Sequence, residues 1–307
     1  MLRTERIVTV VTLLLVGLGL VVAIDLGAVD MAGAGGDETD TINLGIMALL
    51  TVGLLALAAF GAEWVVRSHP VLATPGWGGA ALNLHVGRFG LRLGPRVRLW
   101  VLPAALMLGA LLFQHVFHEA LVVVAIVIAA GAGFAIAYYA LYHSLDPADP
   151  QFGLAATALN LLTHAAAFTL YVAIYGQKVR SLYSATAVAL VTVALLYEIL
   201  ARASSARAAT ASGDTTTHTA AAHPIDHAHL LFYAAIAGGI IGQACWGLNY
   251  WAVGALVGGS FLLVLFYGAF GLLSAHMAGT LTRRVVSEFI LVAAAGLIVI
   301  VASALVR

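Results

Sequence analysis

The sequence predicts an all-α integral membrane protein, a polytopic helical bundle of about nine transmembrane helices. Of its 307 residues, 62% are hydrophobic and only 9% are charged, whereas soluble domains carry about a quarter charged residues. The mean hydropathy is +1.02. Because this imbalance extends along the whole chain, it indicates many spans rather than a soluble domain with a single anchor.

Nine apolar runs each come close to the roughly 20 residues that a membrane-spanning helix needs. They cover residues 7–24, 42–66, 99–117, 120–142, 153–176, 182–201, 230–251, 252–277 and 289–306. The third run turns directly into the fourth, which predicts a tight helical hairpin, and the seventh and eighth runs are equally close. These two short boundaries give a range of eight to ten spans. In the seventh run, the small-residue pairs Ala235/Gly239 and Gly238/Gly242 predict close helix packing. At the end of the sixth run, Glu198 is expected either to extend toward the interface or to pair with Arg202 at the i,i+4 spacing.

The distribution of basic residues predicts that the N-terminus is cytoplasmic. With nine spans, only Lys178, Arg180 and Arg307 of the 14 lysines and arginines fall on the outer side, and cytoplasmic loops are rich in Lys and Arg. A predicted outer loop at 25–41 contains five acidic and no basic residues, namely Asp25, Asp30, Asp37, Glu38 and Asp40. We therefore expect a multi-pass protein of a cell membrane, of the prokaryotic plasma-membrane type.

Arg3 and Arg6 ahead of the first run, with small residues at 32–34 after it, also fit a secretory signal peptide. The apolar core is longer than the usual 7–15 residues of such a signal. We therefore expect a first helix that is retained.

The polar segments divide the chain into a six-span bundle at 1–201, a flexible cytoplasmic linker at 202–228 that is rich in Ala, Ser and Thr, and a three-span bundle at 229–307. The basic cytoplasmic loop 67–98 predicts either a short β-hairpin on the membrane, folded about Gly94-Pro95, or an irregular loop. Its arginines are expected to contact anionic lipid headgroups; those with this assignment are Arg88, Arg92, Arg96 and Arg98.

A polar stripe runs along the fifth run. Its members follow the helical period and therefore share one face; they are Thr157, Asn160, His164, Tyr171 and Tyr175. Because an amide or imidazole without a partner is costly in lipid, this face is expected to point into the bundle. Phe168 interrupts the stripe, and the two threonines off this face, Thr163 and Thr169, are expected to bond back to their own helix. Two interpretations stay open: a polar path with His164 as its protonatable centre, or hydrogen bonding that holds helices together.

Histidines elsewhere give weaker signals. His115, His118 and Glu119 share one face at the predicted outer surface and would supply part of a divalent-metal site. We favour the other explanation, a helix end that is polar because it meets water. A bis-histidine haem would need two facing histidines, for which His143 and His276 are the candidates. The histidines in and beside the linker fit an ordinary flexible segment. These residues do not lead us to predict a bound haem or metal ion.

Several classes of function are disfavoured. The chain has no net charge and a single cysteine, Cys245, so neither a nucleic-acid partner nor an internal disulfide is expected. No serine elbow, zinc-protease helix or P-loop is present, which makes an enzyme less probable than a non-enzyme.

We expect a permease-like transporter of a small solute or ion, with the stripe as its path. The alternatives are a non-catalytic accessory subunit that contacts other membrane subunits, and a haem- or metal-binding redox protein.

Overall fold

The computed structural model describes residues 4–31, 37–73, 82–86, 89–93, 98–117, 119–177, 181–213, 227–251 and 253–305. Within them the chain forms nine α-helices, a short 3₁₀ turn at Pro70–Ala73 and one two-stranded sheet. The helices are α1 (Thr4–Met31), α2 (Asp37–Val66), α3 (Arg98–Gln114), α4 (Ala120–His143), α5 (Phe152–Gly176), α6 (Ser181–Gly213), α7 (His227–Leu248), α8 (Ala255–Met277) and α9 (Arg283–Leu305). The predicted helical membrane bundle is confirmed.

Eight of these helices are long and apolar enough to cross a membrane. The remaining one, α3, has 17 residues and is therefore about 25 Å long, close to the thickness of the hydrocarbon core. The chain is a multi-pass membrane protein embedded in a lipid bilayer.

The helices belong to two compact units. Unit 1 comprises residues 1–79 and 96–159, and unit 2 comprises residues 80–95 and 160–307. The boundary falls within α5, so α1–α4 belong to unit 1 and α6–α9 to unit 2. The predicted division of the chain at 202–228 stays a prediction, although α6 continues as a helix through the first twelve residues of that segment, to Gly213.

Helices of unit 1 that follow one another in the chain run in opposite directions, so α2 and α4 run in the same direction. Near the start of α1, Arg6 donates a hydrogen bond of 2.8 Å to the carbonyl of Trp64 at the end of α2. Deeper in the unit, the Tyr138 hydroxyl of α4 donates to the Ala58 carbonyl of α2 at 3.0 Å. At the start of α3, Trp100 packs edge-on against Phe60 of α2.

These contacts bring the start of α1, the end of α2, the start of α3 and the end of α4 to one end of unit 1. Because α4 begins five residues after α3 ends and returns to the same end, α3 crosses the unit despite its short length. We call this end, which carries Arg6, Arg67 and Arg98, the basic end of unit 1.

Unit 2 alternates in the same way. Near one end, Tyr175 of α5 bonds to the Leu248 carbonyl of α7, and Asn249 bonds to Ser184 of α6. At the opposite end Tyr197 of α6 contacts His227 at the start of α7. That opposite end carries four arginines and is the basic end of unit 2; they are Arg202, Arg207, Arg283 and Arg284.

The structure differs from the prediction in two segments. Most of the predicted acidic loop 25–41 is helical, because α1 extends to Met31 and α2 begins at Asp37; the side chains of its acidic residues lie outside the described part. The basic loop does contain a hairpin, but β1 (Leu82–Val86) pairs with β2 (Phe89–Leu93). The hairpin is therefore not folded about Gly94-Pro95, which follows β2 in the sequence, and Arg98 already begins α3.

Close packing of α6 and α7 depends on glycine at two of the predicted positions. A Cβ atom at Gly238 would lie 2.8 Å from the Ala189 carbonyl oxygen, and one at Gly242 would lie 2.9 Å from that of Ala185. Gly239 has no neighbouring atom within 4 Å of such a Cβ, and Ala235 is exposed. Only the Gly238/Gly242 pair therefore forms the predicted close contact.

We expect Gly238→Ala to destabilise the protein by about 1–3 kcal/mol, because the added methyl group meets backbone on α6 and forces the helices apart. Gly239→Ala is the matched control and should be neutral, or stabilising by up to about 1 kcal/mol through helix propensity. Thermal unfolding of both variants in one detergent measures the difference. Equal melting temperatures would show that the two helices are less closely packed than described.

Candidate functional site

The polar stripe of α5 divides into two parts with different environments. Thr157 is exposed and donates back to the Gly153 carbonyl at 2.9 Å, so its hydroxyl is satisfied within its own helix. Asn160 and His164 are half-buried, whereas Tyr171 and Tyr175 are fully buried. The stripe is therefore not uniformly accessible along α5.

The two tyrosines connect α5 to its neighbours. The Tyr171 hydroxyl lies 2.7 Å from Oγ1 of Thr192 on α6. Because Thr192 donates its own proton to the Val188 carbonyl, Tyr171 is the donor. The Tyr175 hydroxyl donates to the Leu248 carbonyl at 3.0 Å. Both hydroxyls are thus used in dry helix contacts, as the packing interpretation of the stripe expects.

Glycines of α8 close the same region. A Cβ atom at Gly258 would lie 2.5 Å from the Tyr175 ring, and one at Gly259 would lie 2.9 Å from the backbone of Val172. The backbones of α5 and α8 therefore approach closely here. We call this region, formed by Tyr171, Tyr175 and the two glycines, the tyrosine layer.

His164 lies at the midpoint of α5 and is held in one orientation. Its Nδ1 atom is 2.7 Å from the carbonyl oxygen of Asn160. Since a carbonyl oxygen only accepts, Nδ1 carries the proton and Nε2 of the neutral ring is left with a lone pair. This Nε2 atom is buried and has no hydrogen-bond partner among the described residues.

Aromatic side chains of α8 surround the imidazole. The rings of Phe266, Tyr267 and Phe270 contact it edge-to-face, with centroid distances of 5.3, 5.9 and 5.7 Å. None of these contacts supplies a hydrogen bond to Nε2. A lone pair left in such apolar surroundings costs free energy, so packing alone does not explain His164.

A buried ion pair on α6 contacts Thr163, the residue that precedes His164 on α5. Glu198 and Arg202 of α6 form the predicted i,i+4 pair, with 2.6 Å between Oε2 and Nη2. The same Nη2 atom donates to Oγ1 of Thr163 on α5 at 2.7 Å. Glu198 is only 1% exposed, so the pair is an internal feature rather than a surface salt bridge. We call Thr163, Glu198 and Arg202 the Arg202 cluster.

The sequence predicted the ion pair but not its contact with α5. Thr163 was expected to bond only within its own helix, as Thr169 does through the Ala165 and Ala166 carbonyls. In the structure Thr163 also accepts from Arg202. The missed signal is the position of an arginine four residues after a glutamate near the end of an apolar run, because such a pair can remain inside the bundle.

A second polar cluster, which the sequence analysis missed, occupies the basic end of unit 1. His143 at the end of α4 donates from Nδ1 to Oδ2 of Asp149 at 2.7 Å. His69, just beyond α2, is 6% exposed, packs edge-on against Tyr142, and accepts the Val71 N–H at Nδ1. These residues are far apart in the sequence, and they come together because α2 and α4 pack side by side and both end at the basic end.

The electrostatics of this cluster have clear causes. Burial lowers the pKa of His69, and the nearby carboxylates of Asp146 and Asp149 only partly oppose this effect. The pKa of Asp149 is lowered by the hydrogen bond that it accepts from the Gln151 backbone and by the bond from His143. Neutral His69 and ionised Asp149 are therefore the favoured forms.

The chain matches one protein family, described as a protein of unknown function, over residues 31–220 and 216–303. It belongs to the DUF5656 family. The matched residues take in every helix after α1. No curated protein matches the chain, and no solved structure does. The family therefore gives no function for this DUF5656 protein, and the geometry of its polar sites has to supply the argument.

The predicted metal and headgroup sites of this DUF5656 protein stay predictions. His115 and Glu119 are exposed, and His118 lies outside the described residues. In the described ranges no three His, Cys, Asp or Glu side chains are grouped to hold a metal ion. Arg98 is half-buried at the start of α3, while the side chains of Arg88, Arg92 and Arg96 are not among those described.

The histidines considered for haem have other neighbours. His143 pairs with Asp149 in unit 1, while His276 in unit 2 contacts the Tyr233 hydroxyl at 3.5 Å. Each imidazole therefore has a local role in its own unit.

Lowering the pH from about 7.5 to 5.5 should reduce the stability of the protein. In this range the unfolded chain protonates residue 69, whose ordinary pKa is 6.5, while the folded chain resists that proton, so acid favours unfolding. Protonation of Asp149 would reduce the stability only near and below its ordinary pKa of 3.8, which lies outside this pH range. The melting temperature in detergent should fall by a few degrees, and His69→Asn should reduce this fall. The exposed control His229→Asn should not; an identical pH response in all three proteins would contradict the assignment to His69.

Replacing Tyr171 with Phe should cost about 1 kcal/mol, because it removes a buried hydrogen bond between α5 and α6. Tyr183→Phe on α6 is the control, since that side chain is 63% exposed and should tolerate the change. Thermal unfolding in detergent compares the two. If Tyr171→Phe were as stable as the control, the tyrosine layer would not contribute through its hydroxyl groups.

Proposed function

We propose that this protein is a permease-like transporter of a small solute or ion, with His164 as the protonatable centre of a polar path on α5. The observation that supports it is the unpartnered Nε2 atom of His164 at the middle of a membrane-spanning helix. Titratable groups at such a depth are rare and usually serve a pathway. A histidine is suited to the role because its charge changes near neutral pH.

The surroundings of His164 fit a carrier with access from one side. Toward the basic end of unit 2, α5 and α6 carry the half-buried Asn160 and the charged Arg202 cluster. Toward the opposite end the tyrosine layer is dry and closely packed. A carrier needs such a barrier on one side of its site, and transport would require the layer to open.

Polar residues on α7 and α8 do not extend the path. Gln243 and Trp246 of α7 and Tyr250 just after it are exposed, and Ser260 of α8 is exposed and bonds back to the Leu256 carbonyl. The proposed path therefore involves α5, α6 and the aromatic face of α8, rather than three converging polar faces.

The test is proton flux in proteoliposomes that contain a pH-sensitive dye, after an imposed pH step. We expect His164→Ala to reduce the flux at least tenfold, because the variant removes the titratable group from the middle of α5. His229→Ala is the matched control, since it makes the same substitution at an exposed histidine. Proton flux that is unchanged in a folded His164→Ala protein would overturn the proposal.

A second candidate is an accessory subunit of a membrane complex, in which the stripe serves packing. The hydrogen bonds of Tyr171 and Tyr175 favour it, because both join helices and neither leaves a free group. Purification in mild detergent provides its test. A stable, monodisperse monomer without any co-purifying membrane protein would count against this role and leave the transporter proposal standing.

A further inference from the structure

We propose that Arg202 is the binding residue for a small oxyanion, a carboxylate or a phosphate, at the basic end of unit 2. The inference rests on the proposed transport function, because it names the class of solute that the His164 path would take. Three features of the molecule support it: the unused donors of Arg202, its depth, and the groups around it.

The guanidinium of Arg202 has hydrogen-bond donors that are not used. Its Nη2 atom serves both Glu198 and Thr163. Its Nε and Nη1 atoms are buried and have no acceptor among the described residues. Buried donors without an acceptor are costly and rare in folded proteins. A ligand that supplies oxygen atoms would accept hydrogen bonds from these two donors.

The position of Arg202 is unusual for an arginine near a membrane boundary. Such side chains normally extend toward water. Here Nη2 instead reaches Thr163, which lies about 20 Å along α5 from its end at Gly176. The guanidinium is therefore directed into the unit, toward the part of α5 that carries His164, and is kept there by Glu198.

Two further unpartnered polar atoms come from the neighbouring helices. His164 on α5 presents Nε2, and Ser274 on α8 has a buried hydroxyl oxygen without a partner in the described residues. Ser274 lies one helical turn beyond Phe270, whose ring contacts His164. Three helices thus bring unused polar groups to the same half of unit 2.

The chemistry of these groups selects an anion. Arginine presents a planar set of donors that matches carboxylate and phosphate oxygens, and a serine hydroxyl adds another donor. Glu198 is the carboxylate that already neutralises Arg202 in this structure, which indicates the kind of group that the site accepts. An external oxyanion would share Arg202 with Glu198 or compete with it.

The experiment is isothermal titration of the purified full-length protein in detergent with inorganic phosphate, succinate and a soluble short-chain phosphatidic acid. The wild type should bind phosphate or succinate saturably. Glu198→Gln should bind about tenfold more tightly, because the internal competitor has lost its charge. The double variant Glu198→Gln/Arg202→Gln should lose binding while keeping the fold, since no unpaired buried charge is left behind.

The exposed pair on α9 provides a matched control. Arg284 and Glu288 form an i,i+4 ion pair of the same chemistry, with side chains 88% and 62% exposed. The double variant Arg284→Gln/Glu288→Gln should bind the same anions as the wild type. A loss of affinity in this control equal to that of the α6 double variant would point to general charge effects and overturn the assignment.

The remaining outcomes are distinguishable. No saturable binding to the wild type or to Glu198→Gln, or binding that survives in the α6 double variant, overturns the inference. Binding of phosphatidic acid alone supports an oxyanion site but overturns its assignment to a solute. If proton flux depends on His164 while no anion binds, the transport proposal stands and this inference fails. If anions bind while proton flux does not depend on His164, the anion site stands and the transport proposal fails.

Discussion

Inside a bilayer, each polar group that lacks a partner within the protein has a high free-energy cost, and this constraint accounts for most of the structure. It requires the backbone to be helical across the membrane. It also explains why Thr157 and Thr169 bond back to their own helix, and why the hydroxyls of Tyr171 and Tyr175 end on neighbouring helices. The polar atoms that do not obey it are therefore informative. In the described part of unit 2 they include Nε2 of His164 and the Nε and Nη1 atoms of Arg202, and in unit 1 they include Nε1 of Trp100 and Nε2 of Gln114.

The two units satisfy this constraint in different ways. In unit 1 one polar cluster lies at the basic end, where His143 and Asp149 pair close to the bundle boundary and His69 stays neutral. In unit 2 an ion pair lies inside the bundle and one imidazole occupies the middle of α5. The free-energy cost of a polar group rises with its depth in the membrane. The deep polar residues of unit 2 are therefore the better candidates for a functional role.

How far the sequence predicts the site depends on the distance between the interacting residues. The Glu198–Arg202 pair and the self-bonded Thr169 follow from spacing within one helix, and both are confirmed. The hairpin in the basic loop was predicted, but the position about which it folds was predicted wrongly, because Gly94-Pro95 is a strong turn signal and yet follows both strands. The His69–His143 cluster and the Thr163–Arg202 contact join different helices, and no local pattern marks which helices will be neighbours.

The sequence by itself determined that this protein crosses a membrane many times and that α5 carries a polar face. Composition and helical periodicity decide these properties, because both follow from local hydrophobicity and from the 3.6-residue repeat. Only the tertiary structure decided which stripe residues are used in packing and which are not. That depends on the atoms that adjacent helices place opposite each side chain: Thr192 opposite Tyr171, and aromatic carbon opposite His164.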